Sequence, residues 1–394
     1  MKILLANFTK MVNDSGGLAK VTCAFANEMI ARGHEVSLIY SDEAEGKFFF
    51  ETSDKLKCYN LKLNPDGSRI KFPLYLKLVR EIYRTFNDRK ARTVNSYFDE
   101  KYLLKNLQHY LNIIQPEIIV SYQPAASKLL LCDLDTKIPV ITMSHGDPED
   151  YFHIYPVKEI PSLEKSAICQ VLMPSFEQHI KNHLPKAKTI TIGNAIPQFT
   201  FSADLAGEKE QYKIIFVGRL TKNHKRPHLL VEAFSKLSSK HPNWIVELWG
   251  MAERKTYLAE LKSIIAANNL QEKVFIMGAA PYSEVPLKLK EADIFAFPSA
   301  YEGFGMALAE GMSIGLPAVG YASCPAVNEI IEDGKTGFLV QDGVEPLAEA
   351  LDKLMSDKAL RIQMGQAAKV SMAQYAPEKI WDAWEDLMRK ILRR

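Results

Sequence analysis

The sequence predicts an α/β protein built from two doubly wound, Rossmann-like domains. Its 394 residues are too many for one ordinary hydrophobic core. Short apolar runs alternate with helical patterns, and this alternation starts a second time near residue 212. We expect a first domain at 1–198, a second at 199–375 and a final helix at 376–394. The stretch 196–210 is polar and without periodicity, as expected of a linker.

Five apolar runs in the first half predict parallel strands covered on both faces, because each is rich in Val, Ile and Leu. The runs are 2–8, 35–40, 117–122, 139–145 and 169–175. Between the first two, apolar residues recur at spacings of three and four, which predicts one helix. These residues are Leu18, Val21, Phe25 and Met29. The helix should follow Gly16-Gly17 and end at Gly33, which completes a βαβ unit.

The second half repeats the pattern. Strands are predicted in the runs YKIIFVGRL, WIVELWG, KVFIMG, DIFAFPS and GKTGFLV, and helices in RPHLLVEAFSKL and VNEIIED. Pro227 stands near the start of the first of these helices, where its missing N–H costs no hydrogen bond. In the final segment, Pro377 precedes an apolar stripe that predicts one more helix. The stripe consists of Ile380, Trp381, Trp384, Leu387, Met388 and Ile391.

Composition argues against several classes of protein. The formal net charge of +2 gives no reason to expect a nucleic-acid binder. The five cysteines are scattered, without CxxC or Cys/His ligand spacing, so we expect reduced thiols in a cytosolic protein. The start MKILLANF lacks the features of a signal peptide and is predicted to be a buried strand. No run approaches the ~20 apolar residues that a membrane span needs.

Ligands of such sheets bind beyond the carboxyl ends of the strands, so we expect ligand-binding residues in the loops that follow strands. Gly16-Gly17 opens the first helix, either as a close approach to a phosphate or as a plain tight turn. Arg219 and Lys225 follow a predicted strand, and two cations there suit a diphosphate. The alternative is that KNHKR is only a solvated basic loop. His145 ends another predicted strand, with a purely structural role as the alternative.

The sharpest motif is SAYEGFGMALAEG. Glu302 lies in the loop after a predicted strand, and the Gly-Phe-Gly behind it leads into a helix whose first amides lack partners. Those amides and the helix dipole favour an anion. Glu310 is expected about two turns into the helix, too far from Glu302 to act with it on one bond. The two carboxylates either hold the ends of a sugar–diphosphate–ribose ligand or are exposed on an amphipathic helix.

The segment 69–92 carries eight basic and two acidic residues, interleaved with aromatic and aliphatic ones. One interpretation is an amphipathic basic helix that lies on anionic lipid. The other is a surface helix that packs its apolar face on the sheet of the first domain. Both stay open at this point.

Two stretches, FVGRLTKNHKRPHLLVEAF and SAYEGFGMALAEGMSIGLPAVGY, resemble the retaining GT-B glycosyltransferases, family 4 in particular. That family usually carries E-G-F-G…E-A-M-A, and here Gly311 stands where Ala is commoner. The resemblance extends to Gly16-Gly17, ARGHEV, His145, IGNAIP and GKTGFLV, and so covers most of the chain. It implies the GT-B fold, in which two Rossmann-like domains face each other across a cleft and the C-terminal helix crosses back to the first domain. By the same resemblance, the first domain (1–198) should bind the acceptor and the second (199–375) the nucleotide sugar.

The resemblance also implies roles for individual residues. Glu310 should bind the nucleotide ribose, and Glu302 the hydroxyls of the donor sugar. Arg219 and Lys225 should stabilise the departing diphosphate. The implied catalytic residues are Arg219, Lys225, Glu302 and His145. The implied nucleotide-sugar-binding residues are Gly16, Gly17, Gly303, Phe304, Gly305, Met306 and Glu310. No metal or other cofactor is expected.

We therefore expect a retaining, metal-independent glycosyltransferase. It would move a hexose or N-acetylhexosamine from a nucleotide-diphosphate sugar, with UDP as the favoured carrier, to a hydroxyl acceptor. The basic segment 69–92 favours a lipid-linked or cell-surface glycan made at the inner face of the cell membrane, as in lipopolysaccharide, capsule, teichoic acid or glycolipid biosynthesis. Two alternatives stay open: a nucleotide-sugar epimerase or hydrolase of the same fold, and a non-catalytic nucleotide-sugar-binding protein. A dehydrogenase is disfavoured because GxGxxG is absent.

Overall fold

The computed structural model describes residues 1–14, 16–281 and 283–393. They form two compact units, each built on one parallel sheet. The first unit consists of Met1–Gly193 with Trp381–Arg394, and the second of Asn194–Ile380. The prediction of two Rossmann-like α/β domains is confirmed.

The first unit has a seven-stranded sheet. Its strands are β1 (Lys2–Asn7), β2 (Glu35–Tyr40), β3 (Lys57–Asn60), β4 (Ile118–Ser121), β5 (Val140–Met143), β6 (Ile168–Val171) and β7 (Thr189–Thr191). Its helices are α1 (Gly17–Ala31), α2 (Leu74–Arg84), α3 (Asp88–Phe98), α4 (Leu104–Ile114), α5 (Pro124–Lys128), α6 (Glu149–His153), α7 (Pro161–Lys165) and α8 (Pro174–His183). The strand order is β3-β2-β1-β4-β5-β6-β7, so the winding direction reverses between β1 and β4.

The second unit has a six-stranded sheet. Its strands are β8 (Tyr212–Val217), β9 (Trp244–Trp249), β10 (Val274–Gly278), β11 (Ile294–Phe297), β12 (Ala318–Tyr321) and β13 (Gly337–Val340). Its helices are α9 (Pro227–Ser235), α10 (Lys255–Ala267), α11 (Val285–Lys290), α12 (Met306–Ile314), α13 (Val327–Ile330), α14 (Val344–Ser356) and α15 (Lys358–Met372). The last helix, α16 (Pro377–Leu392), belongs to the first unit from Trp381 onward. The strand order is β10-β9-β8-β11-β12-β13, and the winding direction reverses between β8 and β11.

The five strands predicted in the first half are all present, while β3 and β7 were not predicted. Both are edge strands, and neither is a continuous apolar run. Helix α1 begins at Gly17 as expected, but its buried side is shifted from the predicted stripe. Phe25 and Met29 are buried, whereas Leu18 and Val21 are only partly so. Small side chains complete the buried side: Ala19, Thr22, Cys23 and Ala26.

The C-terminal helix packs on α1 within the first unit. The rings of Trp381 and Trp384 meet the edge of Phe25 at centroid distances of 5.6 and 5.0 Å. Arg32 at the end of α1 pairs with Asp382 at 2.6 Å and with Glu385 at 3.1 Å. The apolar stripe predicted for this helix therefore faces the first unit.

The segment 69–92 is not one helix, which corrects the prediction. It contains α2 and the first part of α3, which are separated at 85–87. The side chain of Asn87 accepts a hydrogen bond from the amide of Lys90 at 3.0 Å and so begins the second helix.

Most apolar side chains of this segment face solvent, so the interpretation in which they pack on the sheet is wrong. Phe72, Leu76 and Ala91 are buried, at 8%, 7% and 6% exposure. Seven other apolar side chains have exposures between 37% and 86%, and we call them the exposed α2 face. They are Leu74, Tyr75, Leu78, Val79, Ile82, Tyr83 and Phe86.

Two further observations concern the cysteines and the apolar length of the helices. All five cysteines lie within the described residues and are unbridged. Among the described helices, none combines the length and apolar content that crossing a bilayer demands.

Candidate functional site

The predicted site residues of the second unit gather where its sheet reverses winding direction. Strands β8 and β11 are parallel neighbours, with Ile214 opposite Ile294. The loops that follow them therefore leave the sheet side by side. The amide of Ala300 donates to the carbonyl of His224 at 2.8 Å and ties the two loops together. Such a reversal point is where open α/β sheets bind ligands.

Lys225 and Glu302 form an ion pair across these two loops. The ammonium of Lys225 contacts a carboxylate oxygen of Glu302 and lies 4.8 Å above the ring centroid of Phe297. Both side chains are largely removed from water, at 15% and 8% exposure. The amide of Lys225 donates to the hydroxyl of Thr221 at 2.9 Å, which fixes the loop. From the sequence we expected Lys225 to contact the diphosphate and Glu302 to contact the donor sugar. In the structure the two side chains also contact each other.

Arg226 is a residue that sequence reasoning passed over. It adopts a left-handed conformation with φ 51° at the start of α9. Its guanidinium donates to the carbonyl of Pro298 at 3.0 Å and pairs with Asp342 at 2.7 Å. It therefore anchors the Lys225 loop to the end of β11. The basic run KNHKR in the sequence showed several cationic residues, but it did not show that Arg226 is the one that holds the loop in place.

Arg219 lies at the exit of β8 and is exposed. Its guanidinium has no carboxylate partner among the described residues of the chain. It lines a cavity of about 350 Å³ with, among others, Thr221, His224, Glu253 and Arg254. Burial lowers the pKa of His224, although the neighbouring Glu302 acts in the opposite direction. The cavity therefore combines a neutral imidazole with an arginine that can bind an anion.

Helix α12 begins directly behind Glu302. Gly305 precedes it with φ 79°, a conformation that costs a glycine little. The amide of Ala309 is the first to bond within the helix, to Gly305 at 3.0 Å, so the three amides before it have no intrahelical acceptor. Phe304 is buried with its ring against the edge of Tyr375 at 5.1 Å, which holds the turn in place. Unpaired amides at a helix start are suited to an anion.

Glu310 is the fifth residue of α12, just over one turn from its start rather than the predicted two. Glu302 and Glu310 are 7% and 6% exposed, so the interpretation of two solvated surface carboxylates is wrong. A carboxylate can accept several hydrogen bonds at once, and both of these lie close to the start of α12. Both glutamates are therefore candidates for accepting hydrogen bonds from hydroxyl groups of a ligand.

The structure also explains Gly311, where the related pattern usually has alanine. A methyl group there would lie 2.6 Å from the ring of Phe295, which is fully buried. We expect Gly311→Ala to lower the free energy of unfolding by about 1–3 kcal/mol through overpacking. Alanine's higher helix propensity offsets at most about 1 kcal/mol of that loss. Thermal or urea unfolding measures the change in stability. Gly17→Ala is the control, because a methyl group at Gly17 meets nothing within 4 Å; equal midpoints for both variants would contradict the overpacking argument.

The remaining predicted site residues lie in the first unit. Gly16 precedes α1, and its amide donates to Asp14 at 2.9 Å, while Gly17 is the first residue of the helix. His145 follows β5, and its ring stacks on the ring of Tyr122 with the two centroids 5.2 Å apart. Its Nε2 is buried and has no hydrogen-bond partner among the described residues. Burial lowers the pKa of His145 to about 4, so the ring is neutral at pH 7.

Sequence reasoning also missed Asp42, which orders the loop between β1 and α1. Its carboxylate accepts hydrogen bonds from the amides of Met11 and Val12, both at 2.9 Å. This loop leads to Gly16 and Gly17, so Asp42 supports the glycine pair. A lone aspartate after a strand gives no distinguishing signal in one sequence.

Comparisons with known proteins point to one family. Residues 198–371 match the family described as Glycosyl transferases group 1. An uncharacterized glycosyltransferase of Haemophilus influenzae is 24% identical over 389 residues, which cover 97% of this chain and 98% of that protein. An exopolysaccharide phosphotransferase of Streptomyces coelicolor is 30% identical over 302 residues, or 73% of this chain, but this chain spans only 30% of its length.

Among solved structures, TarM of S. aureus superimposes with a TM-score of 0.73 at 14% identity, over 98% of this chain and 100% of that one. That crystal contained UDP and α-GlcNAc-glycerol. At this identity the likeness concerns the fold alone, and it agrees with the two sheets described above.

Proposed function

This chain belongs to the glycosyl transferases group 1 family of GT-B glycosyltransferases, and on that premise we propose that it transfers a hexose or N-acetylhexosamine from UDP to a hydroxyl acceptor with retained configuration. The observation that carries the proposal is the Lys225–Glu302 pair beside the unpaired amides of α12. Cation, carboxylate and amides meet at the carboxyl ends of β8 and β11. A nucleotide-diphosphate sugar offers matching groups in one molecule.

Each part of the donor has a partner in the second unit. The diphosphate suits Lys225, Arg219 and the first amides of α12, since all of them present positive charge or N–H donors. The sugar hydroxyls suit Glu302, whose carboxylate Lys225 holds in place. The ribose hydroxyls suit Glu310, which lies one turn further along α12. UDP as carrier is supported by its presence in the TarM crystal.

The proposed reaction depends on stabilising the leaving group. The bond between the anomeric carbon and the diphosphate oxygen breaks, and the acceptor oxygen forms its bond on the same face. The acceptor's proton passes to the departing phosphate. Preorganised donors aimed at charge that develops in the transition state are usually the largest catalytic term. Lys225 and Arg219 supply such charge, so we propose that no metal ion is required.

We also propose roles for two residues of the first unit. We propose that Gly17 lets the loop before α1 approach the phosphates, because no side chain intervenes there. We propose that His145 contacts the donor sugar as a neutral imidazole. Its buried Nε2, unpartnered among the described residues, is available for a sugar hydroxyl.

A panel of nucleotide sugars tests the proposal. Purified protein is mixed with UDP-, GDP- and ADP-linked hexoses and N-acetylhexosamines, and thermal shift and slow donor hydrolysis are measured. We expect one UDP-sugar to stabilise the protein most and to be hydrolysed with retained configuration. Activity should persist after EDTA treatment. Loss of activity in EDTA that Mg²⁺ or Mn²⁺ restores would overturn the metal-independent mechanism, and stabilisation by no nucleotide sugar would overturn the proposed donor.

We further propose that the acceptor is presented at an anionic membrane surface, which the exposed α2 face contacts. Its aromatic and aliphatic side chains recur along one side of α2, and Lys77, Arg80 and Arg84 follow the other side. Apolar groups exposed beside basic ones are typical of a helix that lies in the lipid interface. Each basic residue near such a surface would contribute ~1 kcal/mol.

Liposome co-sedimentation measures this contact. We expect binding to rise with anionic lipid, to fall with salt and to weaken strongly in Leu78→Ser/Phe86→Ser, because these side chains are 67% and 86% exposed. Ile113→Ser is the matched control, since Ile113 is 54% exposed on α4 and outside the exposed α2 face. Equal binding of both variants and the parent protein would contradict the proposed surface.

A further inference from the structure

Three side chains with metal-ligating atoms meet on the surface of the first unit, between α6 and α8. Glu149 and His153 are four positions apart on α6 and so lie on the same face of that helix. His183 is the last residue of α8 and stands 34 positions from Glu149 along the chain. One ligand atom from each of the three lies within 4.8 Å of the other two. We call these residues the α6–α8 cluster, and the proposed transfer does not account for them.

The two imidazoles of the α6–α8 cluster converge on a single carboxylate oxygen. Nε2 of His153 lies 2.9 Å from Oε1 of Glu149, and Nε2 of His183 lies 2.8 Å from the same oxygen. Two ligands of a tetrahedral Zn²⁺ ion, each about 2.0–2.1 Å from it, are about 3.3 Å apart. Each nitrogen therefore needs to move only about 0.5 Å from the oxygen to admit the ion. The two rings are nearly perpendicular, with centroids 6.1 Å apart, so they can approach one ion from different sides.

The chemistry of the donor set favours a transition-metal ion. Two imidazole nitrogens and one carboxylate are a set that Zn²⁺ takes in proteins, with a water molecule at the open fourth position. Mg²⁺ and Ca²⁺ instead take oxygen ligands, so the two histidines select against them. The side chains of Glu149, His153 and His183 are 37%, 67% and 36% exposed, which gives an ion direct access from solvent.

Neighbouring residues hold the two helices of the cluster together. The ring of His183 stacks on that of Phe152 of α6, with the centroids 3.9 Å apart. The carboxylate of Asp147 accepts a hydrogen bond from the amide of Glu149 at 2.9 Å and lies 2.6 Å from Nδ1 of His179 on α8. These contacts fix the start of α6 and one of the two imidazoles, so little order has to be created when an ion binds.

The charge around the cluster also favours a cation. The carboxyl end of a helix carries partial negative charge, and His183 stands at that end of α8. Lys181 in the same turn is paired with Glu177 at 3.2 Å, so its positive charge is compensated. Together with the carboxylate of Glu149, the helix end stabilises a doubly charged ion at this position.

We propose that the α6–α8 cluster binds one Zn²⁺ ion through Glu149, His153 and His183. The ion has a structural role, because it joins α6 to the end of α8 and so holds the segment that leads from β5 to α6. None of its ligands is proposed to contact the nucleotide sugar. The inference is therefore independent of the proposed transfer and of its metal-independent mechanism.

Competition titration against a chromogenic zinc chelator tests the site. The full chain, without a histidine tag and freed of metal by EDTA and gel filtration, should bind one equivalent of Zn²⁺ and no Mg²⁺. His183→Phe removes a ligand nitrogen but keeps a ring to stack on Phe152, and Glu149→Gln keeps the size of the side chain. Each should weaken Zn²⁺ binding by at least about tenfold, since losing even a group that only hydrogen-bonds to a ligand costs about 10–100-fold. His109→Ala, at an exposed position on α4, is the matched control and should bind like the parent.

Thermal unfolding gives an independent measurement on the same samples. Zn²⁺ at about ten times its Kd should raise the unfolding midpoint of the parent by about 3–6 °C and leave that of His183→Phe unchanged. Midpoints without metal show whether a variant is misfolded, and the two ligand variants lie on different helices. Equal Zn²⁺ affinity in the parent and in both ligand variants would overturn the inference. So would the absence of one-to-one binding by the parent, or Mg²⁺ binding as strong as that of Zn²⁺.

Discussion

Lys225→Ala is expected to lower kcat by about 10²–10³-fold, the loss typical when one preorganised donor to developing negative charge is removed. The side chain of Lys225 is 15% exposed, and its ammonium is paired with Glu302 and lies close to the Phe297 ring. It therefore faces a weakly solvated environment, where charge on a departing diphosphate is stabilised strongly. The effect should appear mainly in kcat, because this charge develops in the transition state. Steady-state kinetics with the nucleotide sugar chosen by the panel measures it.

Lys222→Ala is the matched control, since Lys222 lies in the same loop but is 54% exposed and paired with Glu260 at 2.5 Å. Lys225→Ala also leaves Glu302 buried without its cation, so the variant's unfolding midpoint must be measured as well. The double variant Lys225→Ala/Glu302→Gln removes that uncompensated charge and should recover stability without recovering kcat. An increase in KM at unchanged kcat would contradict leaving-group stabilisation.

Glu310→Ala is expected to weaken UDP binding by about 1–3 kcal/mol, the usual cost of losing a buried charged acceptor. That corresponds to roughly 5–150-fold in affinity. The carboxylate is 6% exposed on α12, one turn behind the amides proposed to hold the diphosphate. Isothermal titration with UDP, GDP and ADP measures the loss. It should be similar for all three, because each carries the same ribose.

Glu310→Gln separates hydrogen bonding from size, since it keeps the volume and one acceptor oxygen; we expect an intermediate affinity. Glu349→Ala, an exposed position on α14, is the control for removing a glutamate from the second unit. Unchanged affinity of Glu310→Ala for all three nucleotides would contradict a role of Glu310 in binding the ribose. A loss confined to UDP would instead indicate recognition of the base.

The proposed donor site and a cavity of the first unit occupy equivalent places in their own sheets. In the second unit, the Lys225–Glu302 pair follows β8 and β11, the strands between which winding reverses. In the first unit, the cavity with Asp99 and Glu159 lies beyond β1 and β4, where winding also reverses. The geometry of a doubly wound sheet leaves a crevice at this point, because neighbouring helices depart to opposite faces.

Much of the second unit's site could be predicted from local sequence. A glycine pattern after an apolar strand marks a helix start, and this placed Gly305 and the amides of α12. Glu302 and Glu310 were identified because they stand on either side of such a helix start, where they could hold the two ends of a ligand with a charged middle, and because the motif resembles that of the GT-B glycosyltransferases. Their burial could not be predicted, since an apolar neighbourhood along the chain does not show what covers it.

The errors have physical causes too. Strands β3 and β7 lie at the edges of their sheet, where one side is unpaired and a long apolar run is not needed. The break between α2 and α3 had a signal, because Asn87 followed by Asp88 is a helix start. The apolar residues around it masked that signal.

The sequence by itself determined the alternation of strands and helices, the two sheets and the glycine turns, because these depend on neighbours a few positions apart. Tertiary structure decided which groups meet. Lys225 and Glu302 are 77 positions apart, and only the pairing of β8 with β11 brings them together. It also decided that the apolar side of α2 faces solvent and that Asp99 and Glu159 share one cavity. Such contacts depend on long-range packing, which periodicity along a single chain does not encode.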